Sequence, residues 1–122
     1  MSTNILLIED DSALRAEMLD YLMRRKYNVT TCGTIAEADA ALDDGTPDTI
    51  ISDIKLPDGD GVTFYVNNVL RTAGARWILM SANHDLVRLG NELKAVAHLP
   101  PCSIIDKPVP LRLLDLAIRT AA

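Results

Sequence analysis

The amino-acid sequence predicts an α/β protein in which a parallel five-stranded sheet carries helices on both faces. Short apolar runs rich in β-forming residues alternate with segments whose apolar residues recur at helical spacing, and each pattern occurs five times. This strict alternation is typical of parallel sheets, because parallel neighbours need crossover connections. The chain has 122 residues, which is about half of what a closed eight-unit barrel needs, so we expect an open sheet.

The first unit begins with the continuous apolar run at residues 4–8, which predicts a strand that is covered on both faces. Asp11 or Ser12 can cap the helix that follows. The apolar residues that recur along this helix are Leu14, Met18, Tyr21 and Leu22. The pattern therefore predicts strand one followed by helix one.

The second and third units follow the same pattern. Residues 27–32 are rich in β-forming residues, and Thr34 and Glu37 then form a capping box at the start of the second helix. Residues 49–52 predict a third, buried strand, and a turn rich in proline and glycine separates it from the third helix. The apolar face of that helix is marked by Val62, Val66 and Val69.

The last two units complete the alternation. Residues 77–80 and residues 103–105 repeat the apolar strand pattern. The fourth helix is predicted from Leu86, Leu89 and Leu93. Pro110 suits the first turn of a closing helix. The apolar residues of that helix are Leu111, Leu114 and Ile118.

Composition and charge exclude several classes of function. The formal net charge of -5 and the lack of a run of Lys or Arg argue against direct nucleic-acid binding. No window approaches the roughly 20 apolar residues that cross a bilayer, so we expect no membrane association. Cys32 and Cys102 match no zinc-ligand spacing and are expected to be free thiols in a reducing cytoplasm. We expect residues 1–122 to form one cytoplasmic domain without an output domain.

Polar side chains follow four of the predicted strands at the point where each strand ends. They are Glu9 and Asp10 after strand one, Asp53 after strand three, Ser81 after strand four and Lys107 after strand five. In open parallel sheets, ligand sites lie beyond the carboxyl ends of the strands, where the strand order changes direction. If strands one and three are neighbours, three carboxylates converge there. Each like-charged pair then costs about 4 kcal/mol at a separation of about 4 Å and an effective dielectric near 20.

Such a cluster of acids needs a positive charge to balance it. Lys107 can supply one charge and a hard divalent cation the rest, because Mg²⁺ prefers oxygen ligands and keeps several waters. Taken alone, Asp10 or Ser81 would be interpreted as a helix cap or a turn residue, and Lys107 as a surface charge. Their coincidence at four strand ends favours a functional site.

With these segments, the chain resembles the receiver domain of two-component response regulators over essentially its whole length. The segments that carry the resemblance are residues 5–11 (ILLIEDD), 50–57 (IISDIKLP), 60–61 (DG), 78–82 (ILMSA) and 106–108 (DKP). The resemblance implies a flavodoxin-like, doubly wound (βα)₅ three-layer sandwich with strand order 2-1-3-4-5. It also implies a function in phosphorelay signal transduction.

The resemblance assigns the acids and the loop after strand three to phosphoryl transfer. Asp53 would accept a phosphoryl group from a sensor histidine kinase or a phosphotransfer protein. The side chains of Glu9, Asp10 and Asp53 would bind Mg²⁺, or Mn²⁺ in its place. The backbone carbonyl of Lys55 would complete the protein ligands of that ion.

Further positions are implied to stabilise the phosphoryl group and to tune its lifetime. Ser81 and Lys107 would hold the phosphoryl oxygens and act as switch residues. Lys55 and Asn83 occupy the positions that tune the rate of dephosphorylation in the family. We therefore expect a phosphoacceptor switch with self-directed phosphoryl transfer and slow autodephosphorylation, and not an enzyme that acts on an outside substrate.

One position departs from the family pattern. Many receivers carry an aromatic residue three positions before the lysine, and it couples the site to the surface of helix four, strand five and helix five. Here that position is Ile104, which has neither a ring nor a polar tip. Our hypothesis is that Ile104 is the readout position and that activation remodels residues 81–86 and helix four without an aromatic rotor.

Two other functions compete with a phosphorylated receiver. The first is a phosphorylation-independent protein-interaction module with a vestigial acid site. Ile104, in place of the usual aromatic residue, is the observation that supports this alternative. The second is a Mg²⁺-dependent hydrolase, although residues 53–55 lack the second Asp that such phosphatases carry. For the receiver, the signal would pass to a downstream protein, to a fused output domain, or through a homodimer formed by helix four, strand five and helix five.

Overall fold

The computed structural model describes residues 3–82 and 86–119. Its main sheet consists of β1 (Asn4–Ile8), β2 (Asn28–Cys32), β3 (Thr49–Asp53), β4 (Arg76–Ala82) and β5 (Cys102–Lys107). The helices between and after these strands are α1 (Ser12–Arg24), α2 (Ile35–Asp43), α3 (Gly61–Asn68), α4 (Leu86–Lys94) and α5 (Leu111–Arg119). Two short strands, Lys55–Leu56 and Gly59–Asp60, pair as a small antiparallel hairpin between β3 and α3. Within the two described ranges, no helix is long and apolar enough to cross a membrane.

The five strands are parallel, and their order is β2-β1-β3-β4-β5, which confirms the predicted topology. In the register, Leu7 lies opposite Ile51 of β3, and Ile51 lies opposite Ile78 of β4. The strand order changes direction between β1 and β3, because β2 lies outside β1 whereas β4 and β5 continue on the other side. The carboxyl ends of β1 and β3 therefore flank the place where ligand sites of open parallel sheets are found.

Both faces of the sheet are covered by helices, and alternate residues of each strand pack on opposite faces. In β1, Ile5 and Leu7 pack on the face that α1 and α5 cover, whereas Leu6 and Ile8 pack on the face that α2, α3 and α4 cover. All four side chains are almost completely buried. Each such burial contributes about 1.5–3 kcal/mol. Burial on both faces explains why the strands appear in the sequence as continuous apolar runs.

Side-chain caps determine where the first two helices begin. The Asp11 carboxylate accepts hydrogen bonds from two backbone N–H groups in the first turn of α1 at 3.0 and 3.2 Å, so Asp11 and not Ser12 is the cap. The Thr34 hydroxyl accepts a hydrogen bond from the Glu37 N–H at 3.1 Å. This bond is the first half of the capping box that the sequence predicts, and the Glu37 carboxylate accepts its return bond from the Gly33 N–H at 3.3 Å.

Some element boundaries differ from the prediction. β4 and β5 extend beyond the predicted ranges 77–80 and 103–105, because their pairing continues until Ala82 lies opposite Lys107. The apolar pattern marks only the buried part of a strand, so polar ends are not recognised from it. Pro110 lies just before α5 and not in its first turn, and its carbonyl accepts a hydrogen bond from a first-turn N–H at 3.0 Å.

Candidate functional site

Three carboxylates meet at the carboxyl ends of β1 and β3. The two strands are parallel neighbours with Ile8 opposite Ser52, so the residues that follow reach the same edge of the sheet. One carboxylate oxygen from each of Glu9, Asp10 and Asp53 lies within 4.8 Å of the others. Glu9 is fully buried, Asp53 is 7% exposed, and Asp10 faces solvent. The three acids that follow these strands in the sequence therefore lie together.

The Lys107 ammonium group bridges two of these acids. Its Nζ atom donates to Asp53 Oδ2 at 2.8 Å and to Glu9 Oε1 at 2.9 Å. Lys107 ends β5, which is separated from β3 by β4, so the side chain reaches across the edge of the sheet. Hydrogen bonds between ionised groups are stronger than neutral ones, and the burial of Glu9 and Asp53 adds to their strength. The peptide bond from Lys107 to Pro108 is cis.

Burial and the neighbouring groups shift the protonation of this cluster. Burial, followed by the hydrogen bond with Asp53, raises the pKa of Glu9 to about 7, although Lys107 opposes this shift. Burial alone would lower the pKa of Lys107, but its hydrogen bonds with Asp53 and Glu9 outweigh that effect and raise this pKa. Lys107 therefore stays a cation at neutral pH. The acids, in contrast, carry more negative charge than one lysine balances.

The donor set of this cluster fits a hard divalent cation. Carboxylate oxygens are the ligands that Mg²⁺ prefers, and the exposed Asp10 leaves one side of the site open to the waters that this ion retains. A cation among the three oxygens would also relieve the repulsion between Glu9 and Asp53. Among the residues that the structure describes, these three acids are the one group with metal-binding side chains close enough together.

Ser81 lies at the same edge, on the strand between β3 and β5. Asp53 is opposite Met80 in the register, so Ser81 is one residue further toward the carboxyl end of β4. On its other side Ser81 is opposite Asp106, the residue before Lys107. Ser81 is buried. The sheet therefore places this hydroxyl-bearing residue on the strand between the one that carries Asp53 and the one that carries Lys107.

The segment after Asp53 forms a closed loop that begins and ends beside the acids. The Ile54 N–H donates to the Met80 carbonyl at 3.1 Å, and the Gly61 N–H donates to the Ile54 carbonyl at 2.7 Å. A Cβ atom on Gly61 would lie 2.3 Å from the Asp53 carbonyl oxygen, so this close approach requires glycine. Lys55 lies within the loop, and its side chain is exposed.

Arg15, which the sequence did not single out, supports the backbone of the acid pair. Its Nη1 atom donates to the Glu9 carbonyl at 2.8 Å, and the Glu9 N–H donates to the Cys32 carbonyl at 3.0 Å. A Cβ atom on Gly33 would lie 2.9 Å from the same Nη1 atom. A lone arginine on a helix carries no distinctive sequence signal. Its contact with Glu9 depends on how α1 packs against the end of β1.

The predicted readout position lies outside the acid cluster. Ile104, the predicted readout position, lies opposite Leu79 in the sheet and is 37% exposed. Leu113 and Leu116 on α5 are each 47% exposed. Asn83, a predicted rate-tuning residue, lies outside the described residues.

Comparison with known proteins identifies the family. The profile of the response regulator receiver domain matches residues 5–119. The transcriptional regulatory protein AfsQ1 of Streptomyces coelicolor is 32% identical over 116 residues, which cover 95% of this chain and 49% of that protein. The transcriptional regulatory protein KdpE of Staphylococcus aureus is 40% identical over 86 residues, which cover 70% of this chain and 36% of that protein. This chain therefore spans about half the length, or less, of these curated relatives.

Solved structures show the same architecture. A CheY-like response regulator receiver domain protein from Methanospirillum hungatei JF-1 superposes with a TM-score of 0.85 at 25% identity, and the match covers 98% of this chain and 92% of that one. The profile match, the relatives and the sheet order agree with one another. The chain therefore belongs to the response regulator receiver domain family, whose members act in the phosphorelay signalling of two-component systems.

Proposed function

We propose that Asp53 accepts a phosphoryl group from the phosphohistidine of a sensor histidine kinase or a phosphotransfer protein. The observation that carries this proposal is the contact between Asp53 and the Lys107 ammonium group at an otherwise acidic edge. The Asp53 carboxylate is nearly buried, so the protein shields it from most of the solvent while a small part stays accessible to a donor. Membership of the receiver family supports the same assignment.

The proposed transfer is a displacement at phosphorus. One carboxylate oxygen of Asp53 forms a bond to the phosphorus of the donor while the bond between phosphorus and the imidazole nitrogen breaks. That nitrogen keeps the electron pair of the broken bond, and the products are an acyl phosphate on Asp53 and a free histidine on the donor. Lys107 stabilises the negative charge of one phosphoryl oxygen, and the Ser81 hydroxyl donates a hydrogen bond to another.

The acid cluster would hold the divalent cation that this transfer uses. Glu9, Asp10 and Asp53 supply side-chain oxygens and Lys55 supplies its backbone carbonyl, with Mg²⁺ as the expected ion and Mn²⁺ as the alternative. When bound, the ion neutralises charge on the phosphoryl oxygens and on the acids. Burial and the bond from Lys107 hold the Glu9 carboxylate in place for this role.

The acyl phosphate is expected to hydrolyse slowly in the same site. The domain then acts as a switch whose phosphoryl transfer is directed at itself, and not as an enzyme for an outside substrate. Water has to reach the phosphorus from the solvent side, where the Lys55 side chain is exposed. We assign the tuning of the hydrolysis rate to Lys55 and Asn83. The assignment of Asn83 rests on its position in the sequence alone.

The signal is proposed to leave through the surface of α4, β5 and α5. Ile104, Leu113 and Leu116 are large apolar residues on β5 and α5 that stay partly exposed, and such residues mark interaction surfaces when they lie together. The signal would then pass to a second copy of the chain, to a downstream protein or to a fused output domain. AfsQ1 and KdpE are transcriptional regulatory proteins, which supports a role in gene control. The net charge of -5 argues that this domain does not contact nucleic acid itself.

Incubation with acetyl phosphate or phosphoramidate in the presence of Mg²⁺ tests the proposal. We expect intact-protein mass spectrometry to detect one added phosphoryl group on the wild-type chain. Asp53→Ala and the size-matched Asp53→Asn should gain none, and EDTA should prevent the gain in the wild type. A chain that gains no mass and binds no Mg²⁺ would instead be a phosphorylation-independent interaction module with a vestigial acid site.

A further inference from the structure

Asp58 connects the loop after the acceptor to the second helix. It lies at the turn of the small hairpin that Lys55–Leu56 and Gly59–Asp60 form. Its Oδ1 atom accepts a hydrogen bond from the Ile35 N–H at 2.8 Å, and its Oδ2 atom accepts one from the Ala36 N–H at 3.0 Å. These two donors are the first residues of α2. One carboxylate therefore ties the tip of the hairpin to the start of a distant helix.

The start of α2 also has a cap of its own. The Thr34 hydroxyl accepts the Glu37 N–H at 3.1 Å, and Glu37 Oε1 accepts the Gly33 N–H at 3.3 Å. Asp58 satisfies two further N–H groups that an isolated helix leaves unpaired. Its bonds to these backbone N–H groups lower the pKa of Asp58, so the group stays a carboxylate at neutral pH. The helix is thus capped once by Thr34 and once by the hairpin.

The hairpin is anchored differently at its base and at its tip. At the base, Ile54 and Leu56 are buried in the core. At the tip, residues 57–59 are exposed. Besides the Asp58 bonds, the tip approaches α2 at Gly59, where an added Cβ atom would lie 2.7 Å from Ile35 Cδ1. Both contacts of the tip therefore reach the first turn of α2.

We propose that Asp58 is a positioning residue for the cation site, because its bonds to α2 hold the hairpin and thereby orient the Lys55 carbonyl. Leu56 pairs with Gly59 and Lys55 pairs with Asp60, so the bonds at the tip also help to fix the strand that carries Lys55. The inference rests on the proposed function, in which this carbonyl is a ligand of the ion. It adds a residue that contacts neither the ion nor the phosphoryl group.

A comparison of Asp58→Ala with Thr34→Ala tests the inference. Each substitution removes one cap from the same end of α2, but only Asp58→Ala releases the hairpin. In calorimetric titrations with Mg²⁺, we expect Asp58→Ala to bind about tenfold more weakly than the wild type, at the lower end of the range for groups that support metal ligands. Thr34→Ala should bind like the wild type. Asp58→Asn keeps one acceptor oxygen, so its affinity for Mg²⁺ should lie between the affinities of Asp58→Ala and Thr34→Ala.

A second readout uses the metal-free protein and needs no reaction. Amide hydrogen exchange at Gly61, at residues 55–56 and at residues 58–60 should be faster in Asp58→Ala than in the wild type and unchanged in Thr34→Ala. The first turn of α2 should exchange faster in both variants. By linkage, saturating Mg²⁺ should also stabilise Asp58→Ala against unfolding less than it stabilises the wild type, by about 1.4 kcal/mol for a tenfold loss of affinity.

The outcomes separate this inference from the proposed function. Wild-type affinity for Mg²⁺ in Asp58→Ala, with unchanged exchange at Gly61, would overturn the inference even if Asp53 is phosphorylated. Equal losses of affinity in Asp58→Ala and Thr34→Ala would also overturn it, because fraying of α2 would then explain both. A wild type that binds Mg²⁺ more tightly than Asp58→Ala but gains no phosphoryl group would support the inference and contradict the proposed function.

Discussion

Lys107 Nζ lies 2.8 Å from Asp53 Oδ2, although the two residues end strands that are separated by β4. The same nitrogen lies 2.9 Å from Glu9 Oε1. Asp10 adds a third carboxylate within reach of the other two. One ammonium group thus holds together an acid cluster that repels itself. Loss of that ammonium and loss of one acid should therefore have opposite effects on the metal-free domain.

Lys107→Met should destabilise the metal-free domain and slow phosphoryl transfer. Breaking a buried ion pair costs about 3–5 kcal/mol. The Lys107 side chain is 25% exposed, so we expect a smaller loss of about 1–3 kcal/mol in urea unfolding. The initial rate of phosphorylation by acetyl phosphate should fall about 100-fold, as for loss of one charge-stabilising donor. Lys107→Arg keeps the charge and should keep most of the stability. A wild-type rate in Lys107→Met would refute the role of this lysine.

Asp10→Asn should stabilise the metal-free domain while it weakens Mg²⁺ binding. The substitution removes one of three like charges at an exposed position, so we expect a gain of about 0.5–1 kcal/mol in the free energy of unfolding. Unfolding curves with and without Mg²⁺ measure both effects. Glu17→Gln, which neutralises an exposed acid on α1, is the matched control and should change neither. Loss of stability in Asp10→Asn would show that the acids do not repel one another.

The stability of the metal-free domain should fall as pH rises through the range in which Glu9 ionises. The pKa of Glu9 is about 7 in the folded domain and 4.5 for an ordinary glutamate. The folded state therefore binds an extra proton between these values. The contribution of this proton to the free energy of unfolding is complete below pH 4.5 and lost above pH 7. Its size is on the order of 3 kcal/mol, at about 1.4 kcal/mol per pKa unit.

Glu9→Gln checks this pH dependence, because glutamine has no proton to lose. Relative to the wild type, the metal-free variant should become progressively more stable as pH rises through that window in urea unfolding at constant ionic strength. Saturating Mg²⁺ competes with the proton and should remove this trend from the wild type. Parallel pH profiles of the two metal-free proteins would show that Glu9 ionises as an ordinary glutamate.

A phosphate mimic bound with Mg²⁺ should shift the amide NMR signals of residues 81–86 and of α4. Ile104→Val removes one methyl group from a half-exposed side chain that has no aromatic ring, so the shifts should extend as far in the variant as in the wild type. Shifts confined to the acid cluster, or shifts that stop short of α4 in Ile104→Val, would contradict readout without an aromatic rotor.

The sheet and its acidic edge were predictable because burial leaves a direct trace in the sequence. The strands that carry Leu7 and Ile51 are covered by helices on both faces of the sheet, so they appear as unbroken apolar runs. Polar residues that end such runs, among them Asp53 and Lys107, are then assigned to one edge by the parallel topology. The sequence could not show that one ammonium group reaches two acids, because that contact depends on side-chain reach across β4.

Contacts between elements that meet only through tertiary packing were not predictable. Asp58 in a Pro/Gly-rich turn is typical of a local turn residue, yet its carboxylate caps a helix that begins at Ile35, 23 residues earlier. The closeness of Gly61 to the Asp53 carbonyl appears only when the loop is closed. Arg15 likewise contacts Glu9 only because α1 packs beside β1. Each of these contacts follows from tertiary packing, which local sequence patterns do not encode.

Chemical trapping of the modified residue tests the assignment of Asp53 most directly. Borohydride reduces an acyl phosphate on aspartate to homoserine, so peptide mapping by tandem mass spectrometry identifies the position that carried the phosphoryl group. After incubation with acetyl phosphate and Mg²⁺, we predict homoserine at position 53 and at no other aspartate. Homoserine at position 10 or elsewhere, or none at all in a wild-type chain that binds Mg²⁺, would contradict Asp53 as the acceptor.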